Sequence, residues 1–533
     1  MFQKERLDFF SIGGQVNNSS SVNKETIDRG FQAILQYKLN TAAFPLYWSS
    51  IEPREGTFDY QQVDYIIEQA TRHGLKLTLL WFGTWKNGAS HYVPEWVKAD
   101  HTRFPRVIDA LGNEAMVLSP HAEQTLQADK KAFSMLLRHI REVDRYKTVI
   151  AVQVENEPGI HAAARDYGIS ATLLFKGEVP EEVRKLVQEQ SDPELTGIWK
   201  RAGAHREGSW EELFGIDAEE CFSAYYFAKY INEVGEAGKQ QYDIPLYVNV
   251  WVRETMNRIQ GQDFPCGGAT SLVLGIWKKF APVLSCICPD VYFDDRETYM
   301  DVCRKYTRED NVLYIPESHA DEINSLRLFE AIERFDLTGI HAFAIDATLT
   351  EDGGLTKAGA DFKRTVDILS AMKPLLETYY KTGRIHAVVQ QEYADSMFLD
   401  LGNWYGRVLF LNTLSTEPYI HLDNLHEEDK YRQVRGKGLI VDAGDGNLYL
   451  AGEGFKLILL PKKSATQTAS FLYANRGICA NNAPFLRVDE GYMDETGTFV
   501  SVKQRTGDED DNGLWVTSDV GLVRAVIDTQ GGW

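Results

Sequence analysis

No stretch of this chain approaches the roughly 20 consecutive apolar residues of a membrane span. The opening residues Met1-Phe2-Gln3-Lys4-Glu5-Arg6 lead into no apolar segment of the kind a secretory leader carries. A cytoplasmic protein is therefore expected. Cysteine is scarce: Cys221, Cys266, Cys286, Cys288, Cys303 and Cys479 form no dense disulfide framework, and the four between 266 and 303 make no Cys-x-x-Cys knuckle for structural zinc. Positive charge is also short. With 56 Lys and Arg against 77 Asp and Glu, the net charge of −21 excludes nucleic acid and anionic membrane as expected partners, because both reward cations. His-Glu-x-x-His and Gly-x-Ser-x-Gly are absent, which removes the usual metallohydrolase and serine hydrolase designs. No metal and no cofactor is expected. A neutral substrate such as a sugar fits this charge balance.

What is present is an alternation of strand-like and helix-like stretches over the first 350 or so residues, the pattern of parallel β/α architecture. The strand candidates are Phe9–Ile12, Thr41–Trp48, Lys76–Trp81, Val149–Val154, Leu246–Val250, Val291–Asp294, Val312–Ile315 and Gly339–Ile345. Amphipathic helices lie between them. Val63, Ile66, Ile67 and Ala70 share one face, as do Phe133, Leu136, Leu137 and Ile140. The expected fold class is α/β, a (β/α)8 TIM barrel over residues 1–375, with active groups at the carboxyl ends of its strands. An open doubly wound sheet would carry a Gly-rich phosphate turn after its first strand, and none is there. The segment 158–245 exceeds an ordinary β/α connection and is expected to form a wall or lid over the pocket. Residues 376–533 read as a β-rich, sandwich-like C-terminal region, with short strands split by turn clusters at Asp442–Asn447 and Gly507–Gly513. Both clusters are Asp-rich but lack alternating ligand spacing with a distal Glu, so they are read as hairpin turns rather than calcium loops.

Two glutamates close β-branched runs: Glu157 in Val154-Glu155-Asn156-Glu157-Pro158-Gly159, and Glu317 in Tyr314-Ile315-Pro316-Glu317-Ser318. Carboxyl groups at the ends of strands four and seven face each other across a barrel mouth and reach both sides of a sugar ring. Glycosidic cleavage needs such a pair, one to protonate the leaving oxygen and one to stabilise or attack the anomeric carbon. Strand alternation puts Glu155 and Glu157 on one face with Glu157 nearer the mouth. Glu157 is accordingly expected as general acid/base and Glu317 as nucleophile, with Asn156 bonding the sugar 2-hydroxyl.

These motifs resemble glycoside hydrolase family 35, retaining β-galactosidases of the clan of two-glutamate (β/α)8 enzymes. Val154-Glu155-Asn156-Glu157 is similar to the strand-four signature, and the resemblance implies that Glu157 carries the acid and Glu317 the nucleophile. Trp48-Ser49-Ser50-Ile51-Glu52-Pro53 with Gly56-Thr57-Phe58-Asp59 resembles a segment shared by families 35 and 42. Gly13–Ser20 and Trp81–Gly88 look like a bacterial subgroup with a β-rich C-terminal extension. The chain departs from the family where Glu-Tyr-Gly is replaced by Glu157-Pro158-Gly159, and where Ile51 stands for a common His. The resemblance implies exo-acting release of terminal β-galactose from oligosaccharides, and similar enzymes suggest a homo-oligomer. Another glycosidase of the same clan (a β-xylosidase, β-glucosidase or endo-glucanase), or a non-catalytic carbohydrate-binding protein, are the competing readings.

Further candidates sit at strand exits. Tyr292 either orients the nucleophile or simply packs. Trp81 either stacks on a sugar or packs at the barrel top, and of Tyr47 and Trp48 one faces the pocket. Asn18 and Asn87 are candidate hydroxyl binders.

Overall fold

The computed structural model describes residues 2, 4–392, 394–413, 435–462, 483–511, 513–517 and 519–530; Cys479 lies outside them. In chain order the strands of the first part are β1 (Ser11–Gln15), β2 (Thr41–Tyr47), β3 (Lys76–Lys86), a small hairpin of β4 (Arg106–Ile108) and β5 (Glu114–Leu118), then β6 (Val149–Asn156), β7 (Leu246–Trp251), β8 (Cys286–Asp290), β9 (Ile315–Ser318) and β10 (Gly339–Ala342). Apart from the hairpin, these eight pair in parallel in the order β8-β7-β6-β3-β2-β1-β10-β9. Helices separate them, and the expected apolar faces of Gln61–Arg72 and Glu123–Val143 are buried on the sheet. The fold is a (β/α)8 barrel followed by a β-rich region.

The barrel closes between β8 and β9 without a regular ladder. Val291 donates its backbone N–H to the Glu317 carbonyl at 3.0 Å. The Asn311 side chain accepts from Ile287 N and donates to Ile287 O, both at 2.9 Å. Both strands at the seam contain a proline, Pro289 and Pro316, as does β2 at Pro45. Proline has no N–H to give a ladder, so each of these positions is one donor short. Strand boundaries also differ from the sequence expectation. The sixth strand is Cys286–Asp290 rather than Val291–Asp294, the seventh is Ile315–Ser318 rather than Val312–Ile315, and the first is Ser11–Gln15 rather than Phe9–Ile12. Strands buried on both faces show no period-two alternation that would fix their ends.

Inside the barrel, Ala43, Tyr47, Leu80, Phe82, Ala151 and Tyr247 fill the bore. Phe2 packs edge-on against Tyr314, and its ring also lies against Tyr247, at the floor. The bore is tight: a Cβ on Gly13 would sit 2.2 Å from the His341 ring. Alternate residues of β3, Leu77, Leu79 and Trp81, face the helix layer instead.

The segment 158–245 forms five helices, Ile169–Lys176, Glu181–Gln188, Pro193–Arg201, Trp210–Phe214 and Ala218–Gln241. The last packs along Glu123–Val143 on the flank of the barrel: Gly238 lies against Phe133 and Leu137.

Beyond the helix Lys357–Thr378 come β11 (Ile385–Val389), β12 (Ser396–Leu401), β13 (Trp404–Phe410), β14 (Lys437–Gly444), β15 (Asn447–Glu453), β16 (Phe455–Pro461), β17 (Phe485–Met493), β18 (Phe499–Arg505), β19 (Leu514–Val516) and β20 (Leu522–Ile527). They build two antiparallel sheets, β11-β14-β15-β20-β17-β18 and β12-β13-β16-β19. Val388, Ile440 and Leu450 of the first sheet share one core with Leu401, Phe410 and Leu457 of the second, which is sandwich packing. Asp442–Asn447 is a tight turn joining β14 to β15, with positive φ at Gly444, Asp445 and Gly446. The second cluster is not a hairpin. It makes one helical turn, Asp508–Asp511, because β18 pairs with β17 in one sheet and β19 with β16 in the other.

An ion cluster ties this region to the barrel's last helix. Glu453 on β15 meets Lys437 on β14 at 3.2 Å and Arg364 on Lys357–Thr378 at 2.8 Å. Lys437 and Glu453 are both buried. Removing one partner strands the other charge away from water. Glu453→Ala is expected to destabilise the fold by about 3 kcal/mol, with Lys437→Met in the same chain recovering part of the loss; denaturant unfolding measures both.

Candidate active site

The end of the fourth barrel strand, β6, is where the site is made. Ala151 points into the bore, while Val152 and Val154 face the helices, as alternation requires. At Glu155 the backbone turns left-handed (φ 61°), and it does so again at Glu157 (φ 45°). The first of these reverses the pleat. Glu155, which alternation puts on the same face as Glu157, instead turns its carboxyl into the helix layer. There it accepts from Thr84 N at 3.1 Å and Trp85 N at 2.6 Å and bonds the Asp129 carboxyl. Asp129 in turn accepts from Trp81 Nε1, Thr84 Oγ1 and Tyr230 OH. Burial raises both carboxyls above the usual range, Glu155 well above it.

With the pleat reversed, Asn156 and Glu157 both face inward. Glu157 lines a cavity of about 440 Å³ at the barrel mouth together with Glu317. Glu317 stands near the end of β9, and every partner it has is a donor. Its Oε1 accepts from Gln15 Nε2 at 2.9 Å and from Asn156 Nδ2 and Asn249 Nδ2 at 3.3 Å; its Oε2 accepts from Tyr292 OH at 2.8 Å. Glu157 has different surroundings. Burial pushes its carboxyl up to about 7, the negative charge of Glu317 adds to that, and the Lys86 ammonium opposes it. Two carboxyls in one cavity thus have different surroundings, one raised by burial and the other ringed by hydrogen-bond donors.

The expected residues divide. Asn156, Tyr292, Asn87 and Asn18 come together with the glutamates: Tyr292, Asn87 and Asn18 line the cavity, and Asn156 reaches Glu317 from behind. Asn156 Oδ1 and Asn18 Oδ1 are buried with no partner among the described residues, and of the two residues Asn18 is the one that lines the cavity. Trp81 is not in the cavity. It is fully buried against Trp48 and Phe133, on the helix-facing side of β3. Tyr47 faces the bore, not the cavity wall; it stacks on Tyr92 and donates to Asn18 O at 2.6 Å, bracing the loop that carries Asn18. No residue of 158–245 lines the cavity, so that segment is neither wall nor lid. The apolar part of the lining comes from Trp251, Val252, Phe293 and Phe343.

Four residues escaped the sequence reading: Gln15, Lys86, Asn249 and Asp290. Asn249 and Asp290 carried a signal, since each is a lone polar residue in an apolar run, Leu246–Trp251 and Cys286–Asp290. Lys86 is 5% exposed, and no ion pair or hydrogen bond holds its ammonium among the described residues.

The barrel, the two rim glutamates and the sequence match that follows define the class as a glycoside hydrolase. Residues 18–213 match the family model of glycoside hydrolase family 42, described as Beta-galactosidase, and residues 362–517 match one described as Domain of unknown function (DUF5597). No curated protein matches. Among solved structures, the chain is similar to the catalytic domain of β-amylase from Paenibacillus polymyxa at 12% identity and TM-score 0.48, covering 68% of this chain and 98% of that one. It is also similar to β-galactosidases from Bacillus circulans sp. alkalophilus (TM-score 0.49) and Rahnella sp. R3 (TM-score 0.48), each at 14% identity. Those two comparisons cover 70% of this chain, which spans 58% of the length of either β-galactosidase.

The Glu157 carboxyl is expected to titrate with a midpoint at about 7. In a protein with 13C-labelled glutamate side chains, one carboxyl resonance should move through that range and vanish in Glu157→Gln; a midpoint in the ordinary glutamate range would contradict the burial argument.

Proposed function

We propose that this chain is a retaining, exo-acting β-galactosidase that releases terminal β-linked galactose from oligosaccharides, with Glu157 as acid/base and Glu317 as nucleophile. The observation that carries the proposal is the pairing of a carboxyl pushed up to about 7 with a second carboxyl satisfied by four donors. The family 42 match over residues 18–213 supports galactose. The sequence resemblance to family 35 supports the same sugar and a retaining course.

In the proposed cycle Glu317 attacks the anomeric carbon while the Glu157 acid protonates the glycosidic oxygen, so that the C1–O bond breaks and the aglycone leaves as an alcohol. Glu157, now an anion, takes a proton from water. The hydroxide oxygen bonds to C1, the ester to Glu317 breaks, and galactose leaves with its β configuration restored. Tyr292 and Asn249 hold the nucleophile's two oxygens, Asn156 Oδ1 accepts from the sugar 2-hydroxyl, and Asn18 and Asn87 serve hydroxyls near the mouth. The mixed wall around Trp251 offers an apolar surface to a sugar face. The proposal further takes residues 1–375 as the catalytic unit and 376–533 as a separate β-rich one, in a cytoplasmic homo-oligomer.

Proton NMR of the first product formed from a β-galactoside oligosaccharide is expected to show β-galactose before mutarotation; α-galactose first would end the retaining reading. Glu157→Gln should lower turnover of that substrate by roughly 10²–10⁴-fold, the usual contribution of general acid catalysis. Glu317→Gln should abolish it. Full activity in either variant would remove that residue from the mechanism.

A further inference from the structure

We propose that Asp290 is a positioning residue for the acid/base: a third carboxyl group, held neutral, that donates its proton in a hydrogen bond to Glu157. The inference rests on the reading of Glu157 as acid/base and assigns the group that receives its charge during the cycle.

The geometry runs through Asn249. Its Oδ1 accepts the backbone N–H of Glu157 at 2.9 Å, which fixes the orientation of the amide. Its Nδ2 must then donate, and it does so to Asp290 Oδ2 at 2.8 Å and Glu317 Oε1 at 3.3 Å. Asp290 Oδ2 is therefore an acceptor. The remaining oxygen, Oδ1, is buried with no donor aimed at it, and the Asp290 side chain lies in hydrogen-bond contact with that of Glu157. Two carboxyl groups in such contact need a proton between them, and Asp290 Oδ1 is where the amide leaves room for it.

Charge points the same way. The groups facing Glu157 are Lys86 from the end of β3, Asp290 from β8, Glu317 from β9, and Tyr292 and His319 from the loops beyond. With Glu317 ionised, one ammonium balances one carboxylate. Ionising Asp290 as well would place a second negative charge in a buried cavity with no cation left to offset it. Burial and the charge of Glu317 accordingly raise Asp290 well above the usual carboxyl range. When Glu157 gives up its proton to the leaving group, its new charge meets the Asp290 O–H on one side and the Lys86 ammonium on the other.

The test is the alkaline limb of kcat/KM against pH, which reports Glu157 in the free enzyme. Asp290→Asn keeps an acceptor for Asn249 and an N–H for Glu157, and should leave the limb where the native enzyme has it. Asp290→Leu removes the donor to the Glu157 anion and should move the limb upward by about one pH unit or more, the equivalent of one hydrogen bond to a charged group. If Asp290 were instead ionised, both variants would delete a negative charge beside Glu157 and both limbs would move down, overturning the proposal. A limb unmoved in Asp290→Leu would overturn it too. Should Asp290→Leu fail to fold, Asp290→Asn still decides the sign. Infrared spectra add a second readout: of the protonated-carboxyl bands that Glu155, Asp129, Glu157 and Asp290 contribute near neutral pH, the native-minus-Asp290→Asn difference should show the loss of one, and a difference without such a loss counts against Asp290. Failure of the parent reading looks different, because an alkaline limb retained in Glu157→Gln would show that another group sets it, whatever the Asp290 variants do.

Discussion

One amide side chain holds the cavity together. Asn249, fully buried on the fifth barrel strand, binds the backbone of Glu157, the carboxyl of Asp290 and the carboxyl of Glu317 at once. These three partners come from the fourth, sixth and seventh strands. Next to it, the regular ladder is interrupted at the seam between β8 and β9. A residue with one acceptor and two donors, pinned by a backbone N–H, can bridge that gap without placing another charge among the carboxyls. Lysine there would pair with the carboxylates and flatten the difference between them; an apolar residue would leave the Glu157 N–H and two carboxyl oxygens without this partner.

The second constraint is the backbone of β6. Left-handed φ at two non-glycine residues so close together costs of order 1–3 kcal/mol each, and persists only when surrounding structure enforces it. The enforcement at Glu155 is visible: two backbone N–H groups of β3 and the buried Asp129 carboxyl grip its side chain in the helix layer. Gly88 N–H bonds the Glu157 carbonyl at 3.0 Å and secures the second turn. Glu155 thereby acts on the cavity from outside it, by sending Asn156 and Glu157 inward. Its carboxyl and the Asp129 carboxyl are raised by burial for reasons of packing, whereas the shift at Glu157 lies where chemistry can use it.

Among the described residues, the β-rich region contributes none to the cavity lining. Its contact with the barrel includes an ion cluster of Arg364, Lys437 and Glu453, the last two buried, alongside the shared apolar core of the last helix with β14 and β15. The cavity and this junction are therefore separate features of the molecule, one set by strand ends and the other by packing at a helix.

The sequence by itself determined the barrel, because eight apolar runs separated by amphipathic helices can bury their surfaces together in few ways. It also determined which two glutamates stand at strand ends, since Pro158 and Ser318 follow them closely in otherwise apolar surroundings. Only the tertiary structure decided which way side chains point there. Alternation is a rule for extended backbone, and the left-handed Glu155 breaks it, so the partition of Glu155 and Glu157 between helix layer and cavity was invisible in the pattern. Trp81 shows the same limit from the other side: an aromatic at a strand exit reads equally well as sugar platform or packing, and its register on β3 sends it to the helices. Asn249, Asp290 and Lys86 stand 41 and 163 residues or more from one another along the chain. Their meaning arises from closure of the barrel, which brings donors, acceptors and charges from separate strands into one cavity, and linear order does not encode that proximity.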